Sequence, residues 1–458
     1  MADFSNYLSP GRKGHLVGIG GVSMSSLAEV LKRMGIVVSG SDMNEGTNVQ
    51  GLREKGIPVS IGHSAANIPE DVDFLVRTAA VHDSNPEIIW AHEHDVPVFE
   101  RTQAWGAISR DYANSLCISG THGKTTTTSM CTHILMAANR DPTVMIGGTL
   151  PLLKAGHRVG TGNTIVMEAC EYYDSFLSLY PTVAVVLNIE ADHLDYFKDL
   201  GAVEHSFRVF AERVPSDGWI VANKDDENTM QTLGGLDRRM ITFGLSRDAD
   251  VTAKNIRFLG ANSQFDIYYK GRKFTDVTLH VPGMHNVKNA LAATAASICL
   301  GIRPTAVKYG LAGFNGAGRR FEFKGKFNGA DVYDDYAHHP GELKVLLDTV
   351  ETLRYERTVL VFQPHTYTRT KALFDDFVTQ LSRPDVLLLA EIFAARETNT
   401  VGISSKDLAD RIDGACFYPD FGSLEAALRQ IARPGDIVLT VGAGDVYKIG
   451  ERLVEEKK

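Results

Sequence analysis

Ser119-Gly120-Thr121-His122-Gly123-Lys124-Thr125-Thr126 sets a lysine and a hydroxyl directly behind two close glycines, after an apolar run and ahead of a Thr-rich helical pattern. Glycines let backbone N–H groups close around phosphates, a lysine there neutralises β/γ charge, and a threonine hydroxyl reaches Mg²⁺. The Gly-Lys-Thr end is that of a Walker A loop, although two residues rather than four separate the glycines. Carboxylates and a histidine follow at two strand ends. Residues 164–167 lead into Glu168, with Glu171 and Asp174 behind, and residues 183–187 lead into Asn188-Ile189-Glu190-Ala191-Asp192-His193. In a parallel sheet both ends face the edge that carries the Lys124 turn. Thr125 and Glu168 are then the expected ligands of one Mg²⁺, which needs few protein oxygens, and His193 of a second cation. Glu190 and Asp192 read equally well as caps, and Glu171 and Asp174 as the polar first turn of a following helix.

Two further groups have chemical potential. Gly18-Ile19-Gly20-Gly21-Val22-Ser23 follows an apolar run, opens a helical pattern and approximates G-x-G-x-x-G, with Asp42 after the next apolar run where such folds place a ribose-binding acid. A bound nucleotide and a tight strand–helix turn fit this equally, and NAD and a UDP-sugar are not distinguished. Near the other end, Asp334-Asp335-Tyr336-Ala337-His338-His339-Pro340 precedes a helix that proline can open. Its two histidines lack partners at metal-site spacing, so substrate binding or orientation of a nucleophile is the better expectation than metal. His365 and Arg369 flank Tyr367, and an arginine there can clamp a carboxylate through two parallel hydrogen bonds; a surface capping pair is the alternative.

These turns need strands and helices to hold them. Strand–turn–helix patterns occur at 15–19 with 23–34, at 115–119 with a helix to about 139, and at 358–362 with a helix through about 381. Strands are also expected at 164–167, 183–188, 219–222, 241–243, 386–390 and 437–441, and an antiparallel insertion over 251–281. Boundaries are expected at 110–114 and at 313–320, where Gly313, Gly316 and Gly318 suit a hinge. The 458 residues exceed one ordinary core and suggest about three domains. A net charge of −9 argues against a nucleic-acid partner. Five scattered cysteines without CxxC spacing exclude a disulfide framework and suit a reducing compartment. Neither a signal-peptide core nor an apolar run of spanning length is visible, so a cytoplasmic protein without membrane insertion is expected.

Taken together, the motifs resemble those of the Mur ligases nearly end to end: 18–25, 120–126, 188–193, His285-Asn286 with Asn289, 318–321, 334–340, 363–369 and 442–445. The resemblance implies three α/β domains. These are a UDP-sugar-binding Rossmann-like domain (1–113), a central P-loop-type ATPase domain with a small antiparallel insertion (114–318) and a C-terminal Rossmann-like amino-acid-binding domain (319–458). It implies that Gly18, Gly20, Gly21, Ser25, Asp42 and His63 meet the UDP-sugar. Gly120, Thr121, His122, Gly123, Lys124, Thr125 and Thr126 would hold the ATP phosphates, with His285, Asn286 and Asn289 around adenine and Arg320 and Asp335 also reaching ATP. Thr125, Glu168 and His193 would bind two Mg²⁺ ions, and Tyr336, His338, His365 and Arg369 would surround the amino acid.

The reaction so implied joins L-alanine to the lactyl carboxylate of UDP-N-acetylmuramate through an acyl phosphate, for peptidoglycan synthesis, with Lys124, His193, His338 and Arg320 as catalytic groups and a monomer or weak homodimer as the working form. Attachment of a recycled murein peptide to the same sugar nucleotide is the nearest alternative. A folylpolyglutamate synthase shares only the central domain, and an NAD-dependent dehydrogenase only the first. Three departures stand out: Ser23 where many members have glycine, Thr366 where many have arginine, and Tyr172-Tyr173 within the acidic run. Residues 201–214 hold no lysine, so no carbamylated lysine is expected there.

Overall fold

A computed structural model describes residues 3–455 except 79, 194–195 and 396. Its first sheet is parallel throughout: β1 (Lys13–Val17), β2 (Val37–Asp42), β3 (Val59–Ile61), β4 (Phe74–Arg77) and β5 (Val98–Glu100), in the order β3-β2-β1-β4-β5. The order reverses beside β1, and the turn after β1 therefore opens into the crevice where such sheets bind ligands.

The second sheet is built from β6 (Asn114–Ser119), β7 (Thr143–Leu150), β8 (Ala155–Arg158), β9 (Thr164–Glu168), β10 (Val183–Val186), β11 (Trp219–Asn223) and β12 (Arg239–Phe243), followed by β13 (Val251–Leu259), β14 (Asn262–Tyr269) and β15 (Arg272–Leu279). Its order is β15-β14-β13-β12-β11-β10-β6-β9-β7-β8. Strands β10, β6 and β9 are parallel neighbours with their carboxyl ends on one edge. All four residues of β10 are buried, as expected of a strand with both faces covered. The expected insertion is present: β13, β14 and β15 are neighbours joined by two-residue turns, a connection only antiparallel strands can make.

The third sheet holds β16 (Glu322–Phe327), β17 (Ala330–Asp335), β18 (Arg357–Phe362), β19 (Val386–Ala390), β20 (Cys416–Tyr418) and β21 (Asp436–Val441), in the order β16-β17-β21-β18-β19-β20. Only β16 is antiparallel to its neighbour. Along β18 the side chains alternate between two cores. Leu360 and Phe362 pack with Leu343, Phe377 and Leu439, whereas Val359 and Val361 pack with Leu428, Val438 and Leu453. That period of two is what a sheet covered on both faces requires.

The chain forms two compact units. One comprises residues 1–254, 266–277 and 288–313, and the other 255–265, 278–287 and 314–458. In the first, one continuous core runs from Phe4 through Trp105 to Leu233 and serves both sheets. Among the described residues no helix is long and apolar enough to cross a membrane.

Three expectations change. The helix expected to run through 381 is two helices, Tyr367–Ala372 and Phe374–Leu381, because Leu373 leaves helical geometry at φ −109°, ψ 26°. Strand β10 stops at Val186, since Asn188 turns away to bond the Lys124 loop. The polar turn after Glu168 is a short 3-10 stretch, Tyr172–Ser178, with Tyr173 and Asp174 both at φ 53°. Asp174 is held there by hydroxyls from Tyr196 and Ser206, while Glu171 turns inward.

Candidate functional site

The Lys124 loop leaves the central strand β6 between Glu168, which ends β9, and the 188–193 segment that follows β10. Gly123 caps helix Lys124–Ala137 at φ +84°, and a Cβ there would lie 2.7 Å from Asn289 Oδ1, so both conformation and space demand glycine. Asn188 fixes the loop from its flank. It accepts from His122 N at 2.8 Å through Oδ1 and donates to the His122 carbonyl through Nδ2 at 3.1 Å. Thr121, buried, accepts the Glu190 N–H through its hydroxyl at 2.9 Å. Thr126 is only partly buried on the first helical turn.

The ammonium of Lys124 donates to the carbonyls of Gly120 (2.5 Å) and Thr121 (3.1 Å) and to both oxygens of Glu171 (3.1 and 3.0 Å). Burial works against its charge, but the Glu171 carboxylate outweighs burial and holds its pKa well above the usual lysine range. Thr125 Oγ1 donates to Glu168 at 3.1 and 3.0 Å, and Gly147 N–H donates to Glu168 Oε2 at 2.8 Å. A hydroxyl in contact with a carboxylate is a hard-oxygen pair that suits Mg²⁺. Among the described residues no three His, Cys, Asp or Glu side chains gather into a metal site, so an ion here would complete its shell with phosphate oxygens and water. His193 lies beside Glu171, the partner of Lys124: its ring stacks on Tyr172 at 4.3 Å and its Nε2 stands 3.9 Å from Glu171 Oε1.

At the first sheet, Gly18 and Ile19 N–H groups donate to the Ser41 carbonyl, and Asp42 Oδ2 accepts Gly20 N–H at 2.8 Å. Asp42 therefore shapes the glycine turn itself, besides standing at the strand end where a ribose acid was expected. Asn48 closes the turn by donating to the Gly20 carbonyl at 2.8 Å, and Gly21 caps the helix that follows. Ser25 is buried and donates to the Val22 carbonyl at 3.0 Å. Ser23, the departure from glycine, accepts from Trp105 Nε1 at 3.2 Å and reaches Met145 Sδ at 3.5 Å, which ties the turn to β7. His63 Nδ1 lies 2.9 Å from Ser41 Oγ.

The second unit gathers its own cluster where β17, β21, β18 and β19 end. Asp335 accepts N–H bonds from Phe321 (2.7 Å) and Ala337 (2.8 Å), and burial pushes its pKa up to about 6 in spite of Arg320 nearby. The Arg320 guanidinium sits 5.1 Å from the Tyr336 ring centre and 3.9 Å from Glu342. His338 is 5.5 Å from His365, ring to ring. Arg369 Nη1 donates to His365 Nδ1 at 3.2 Å. Because arginine cannot accept, Nδ1 carries the lone pair, and burial, followed by the neighbouring His338 and Arg369, lowers the His365 pKa to about 4. His285, whose pKa burial lowers to about 4, and Asn286 belong to this unit, and Asn286 donates to the Pro282 carbonyl at 2.7 Å.

The sequence reads Glu171 as part of a polar first turn, whereas it partners Lys124, and it raises no expectation for Glu342 or Arg319. Glu342 receives the His338 N–H at 2.9 Å. Arg319 binds Asp334 at 2.9 Å and the carbonyls of Gly442 and Gly444, stacking between Tyr336 and Tyr447. The doublet Arg319-Arg320 beside a glycine was the available signal.

Three family models match the chain: "Mur ligase family, catalytic domain" over 13–113, "Mur ligase middle domain" over 118–297 and "Mur ligase, glutamate ligase domain" over 319–444. A UDP-N-acetylmuramate–L-alanine ligase of Clostridium novyi is 44% identical over 97% of this chain and 98% of the relative. One of Agathobacter rectalis is 44% identical over 96% and 97%. Among solved structures, a UDP-N-acetylmuramate–alanine ligase of Thermotoga maritima matches with TM-score 0.80 at 29% identity, covering 97% of this chain and 99% of that one. A murein peptide ligase of Psychrobacter arcticus matches with TM-score 0.71 at 25% identity, covering 97% and 98%.

Proposed function

Because the chain belongs to the Mur ligase family, we propose that it joins L-alanine to the lactyl carboxylate of UDP-N-acetylmuramate at the expense of ATP, a step of peptidoglycan synthesis. Full-length identity of 44% to enzymes named for that reaction carries the reading. The contact set Lys124–Glu171 with Thr125–Glu168 supports it from the chemical side.

A carboxylate is a poor acyl donor, so ATP first phosphorylates it and ADP leaves. The alanine amine then attacks the acyl phosphate, and the tetrahedral intermediate collapses to amide and phosphate. Phosphoryl transfer depends on alignment and charge neutralisation rather than on a protein nucleophile. Lys124 supplies the cation. To do so it exchanges Glu171 and the loop carbonyls for phosphate oxygens, and Glu171 keeps the ammonium charged and aimed until then. Thr125 and Glu168 would hold Mg²⁺, which when bound neutralises charge developing on the phosphates. His193, braced by Tyr172, is the candidate for a second ion or for the amine proton, with His338 the alternative for that proton. In the second unit the Arg369 guanidinium, oriented by His365, is suited to the carboxylate of alanine, and Tyr336 and His338 to the walls of its pocket.

Phosphate release from purified protein, with each substrate omitted in turn, tests the reading. Release should require ATP, UDP-N-acetylmuramate and L-alanine together. Release sustained by a murein tripeptide in place of alanine, or undiminished without the sugar nucleotide, overturns it.

A further inference from the structure

Beneath the glycine turn of the first sheet lies a carboxylate with no solvent contact. Glu87 is 0% exposed, in the first turn of helix Pro86–Glu93. Its Oε1 accepts Ser64 N–H at 3.1 Å and Asn67 Nδ2 at 2.8 Å. Its Oε2 accepts the Ser41 hydroxyl at 2.5 Å and stands 3.5 Å from His15 Nε2 and from His63 Nδ1. A charge so deep is costly unless donors surround it, and here they come from the end of β2 and from the 63–67 loop. Burial opposes its ionisation, but the nearby His15 ring and the bonds from Ser41 and Asn67 prevail and bring its pKa down to about 2.

The hydrogen-bond directions then follow from counting protons. A serine hydroxyl has one, and an ionised carboxylate only accepts. Ser41 therefore gives its proton to Glu87 and offers His63 only a lone pair, across 2.9 Å. Nδ1 of His63 must be the N–H, which in the neutral ring leaves Nε2 with the lone pair. We infer that Glu87 and Ser41 are positioning residues that lock His63 into one tautomer, so that it meets the sugar nucleotide purely as a hydrogen-bond acceptor. The inference rests on the proposed placement of UDP-N-acetylmuramate at His63. The donors a uridine nucleotide offers such a nitrogen are the uracil N3–H and the ribose hydroxyls. A base lacking that N–H, such as cytosine, would lose the bond if N3–H is the donor.

Long-range ¹H–¹⁵N correlation on ligand-free, ¹⁵N-histidine-labelled protein reads the tautomer directly. His63 should appear as the Nδ1–H form. Ser41→Ala should abolish the preference. Glu87→Gln should reverse it, because the new amide donates to Ser41 and turns the serine proton toward His63. Glu87→Gln should raise KM for UDP-N-acetylmuramate about ten-fold, the worth of one hydrogen bond, and Ser41→Ala, which leaves about half the protein in the acceptor form, about two-fold, with kcat and the KM values for ATP and alanine unchanged. N3-methyluracil and 2′- and 3′-deoxyribose analogues of the substrate assign the donor. One of them should bind wild type about ten-fold more weakly than the native substrate, yet bind His63→Ala equally well. An Nε2–H tautomer in the wild type, an unchanged KM in Glu87→Gln, or no effect from any analogue overturns the inference. Failure of the parent reading looks different: turnover would not need the sugar nucleotide, while the tautomer would still be measurable.

Discussion

A lysine that waits for phosphate needs somewhere to put its charge, and Lys124 puts it on Glu171, whose side chain is 2% exposed. Removing one partner of a buried pair leaves the other charged and unpaired, at a cost of about 3–5 kcal/mol. Lys124→Met should therefore lose stability in urea as well as turnover. Lys124→Met with Glu171→Gln should regain most of the stability and none of the turnover, and equal stabilities for the single and double variants would refute the coupling. Glu171 was unreadable in sequence because its inward turn depends on the left-handed pair Tyr173-Asp174, whereas Lys124 was plain from Gly-Lys-Thr. His365 makes a second prediction. Its folded pKa of about 4 lies below the ordinary 6.5, so between these values the unfolded chain binds a proton that the folded protein refuses. Stability contributed by neutral His365 is thus present above pH 6.5 and lost as pH falls toward 4. Compared with His365→Gln, the wild type should lose about 1–2 kcal/mol of relative stability between pH 7 and pH 5 in urea titrations. Asp335 titrates nearby with the opposite slope, but it is present in both proteins and drops out of the difference.

At the level of elements, strands followed by glycine turns were legible because apolar runs and glycines are local signals. The hairpin β7–β8 was not, since Gly147, inside β7, packs on a residue distant in sequence. A Cβ on Gly147 would stand 2.9–3.1 Å from the Glu168 carboxylate, which also accepts the Gly147 N–H. The same hairpin touches the first sheet's helix through Met145–Ser23 and His157–Glu29, so one element adjoins both the glycine turn and Glu168. Gly147→Ala should displace Glu168 and raise the Mg²⁺ concentration for half-maximal turnover about ten-fold, as changes behind a metal ligand do, with KM for the sugar nucleotide little altered. An unchanged Mg²⁺ requirement would show that the hairpin does not set Glu168. Helix Lys124–Ala137 is braced elsewhere by Pro304–Ala312, where a Cβ on Gly310 would fall 2.4 Å from Ile134 Cα. Gly310→Ala must wedge the two apart, so a loss of about 1–3 kcal/mol with an unchanged urea m-value is expected. A loss within a few tenths would mean that the helices separate freely.

For the molecule as a whole, net charge −9 and two anionic nucleotide substrates mean that binding rests on local N–H arrays and a few aimed cations rather than on a general field. Those local arrays fall on different cores. The residues proposed for the sugar nucleotide, from Gly18 to His63, belong wholly to the first unit, whose continuous core reaches from Phe4 to Leu233. The sheet of residues 314–458 has two cores of its own, one on each face. A ligand stabilises only what folds to bind it, by RT ln(1 + [L]/Kd), which is about 2.7 kcal/mol at a hundred-fold excess over Kd. Calorimetry should thus resolve two unfolding transitions. UDP-N-acetylmuramate alone should raise the one belonging to the first unit by roughly 5 °C and leave the other in place. A single transition moving as a body would mean that the chain's repeated passages between the units, at 254–255, 265–266, 277–278, 287–288 and 313–314, weld them into one cooperative block. In that case the amino-acid cluster would inherit its rigidity from the sugar-nucleotide end, and His365→Gln would shift the whole transition. With separate transitions, the same substitution moves only the second.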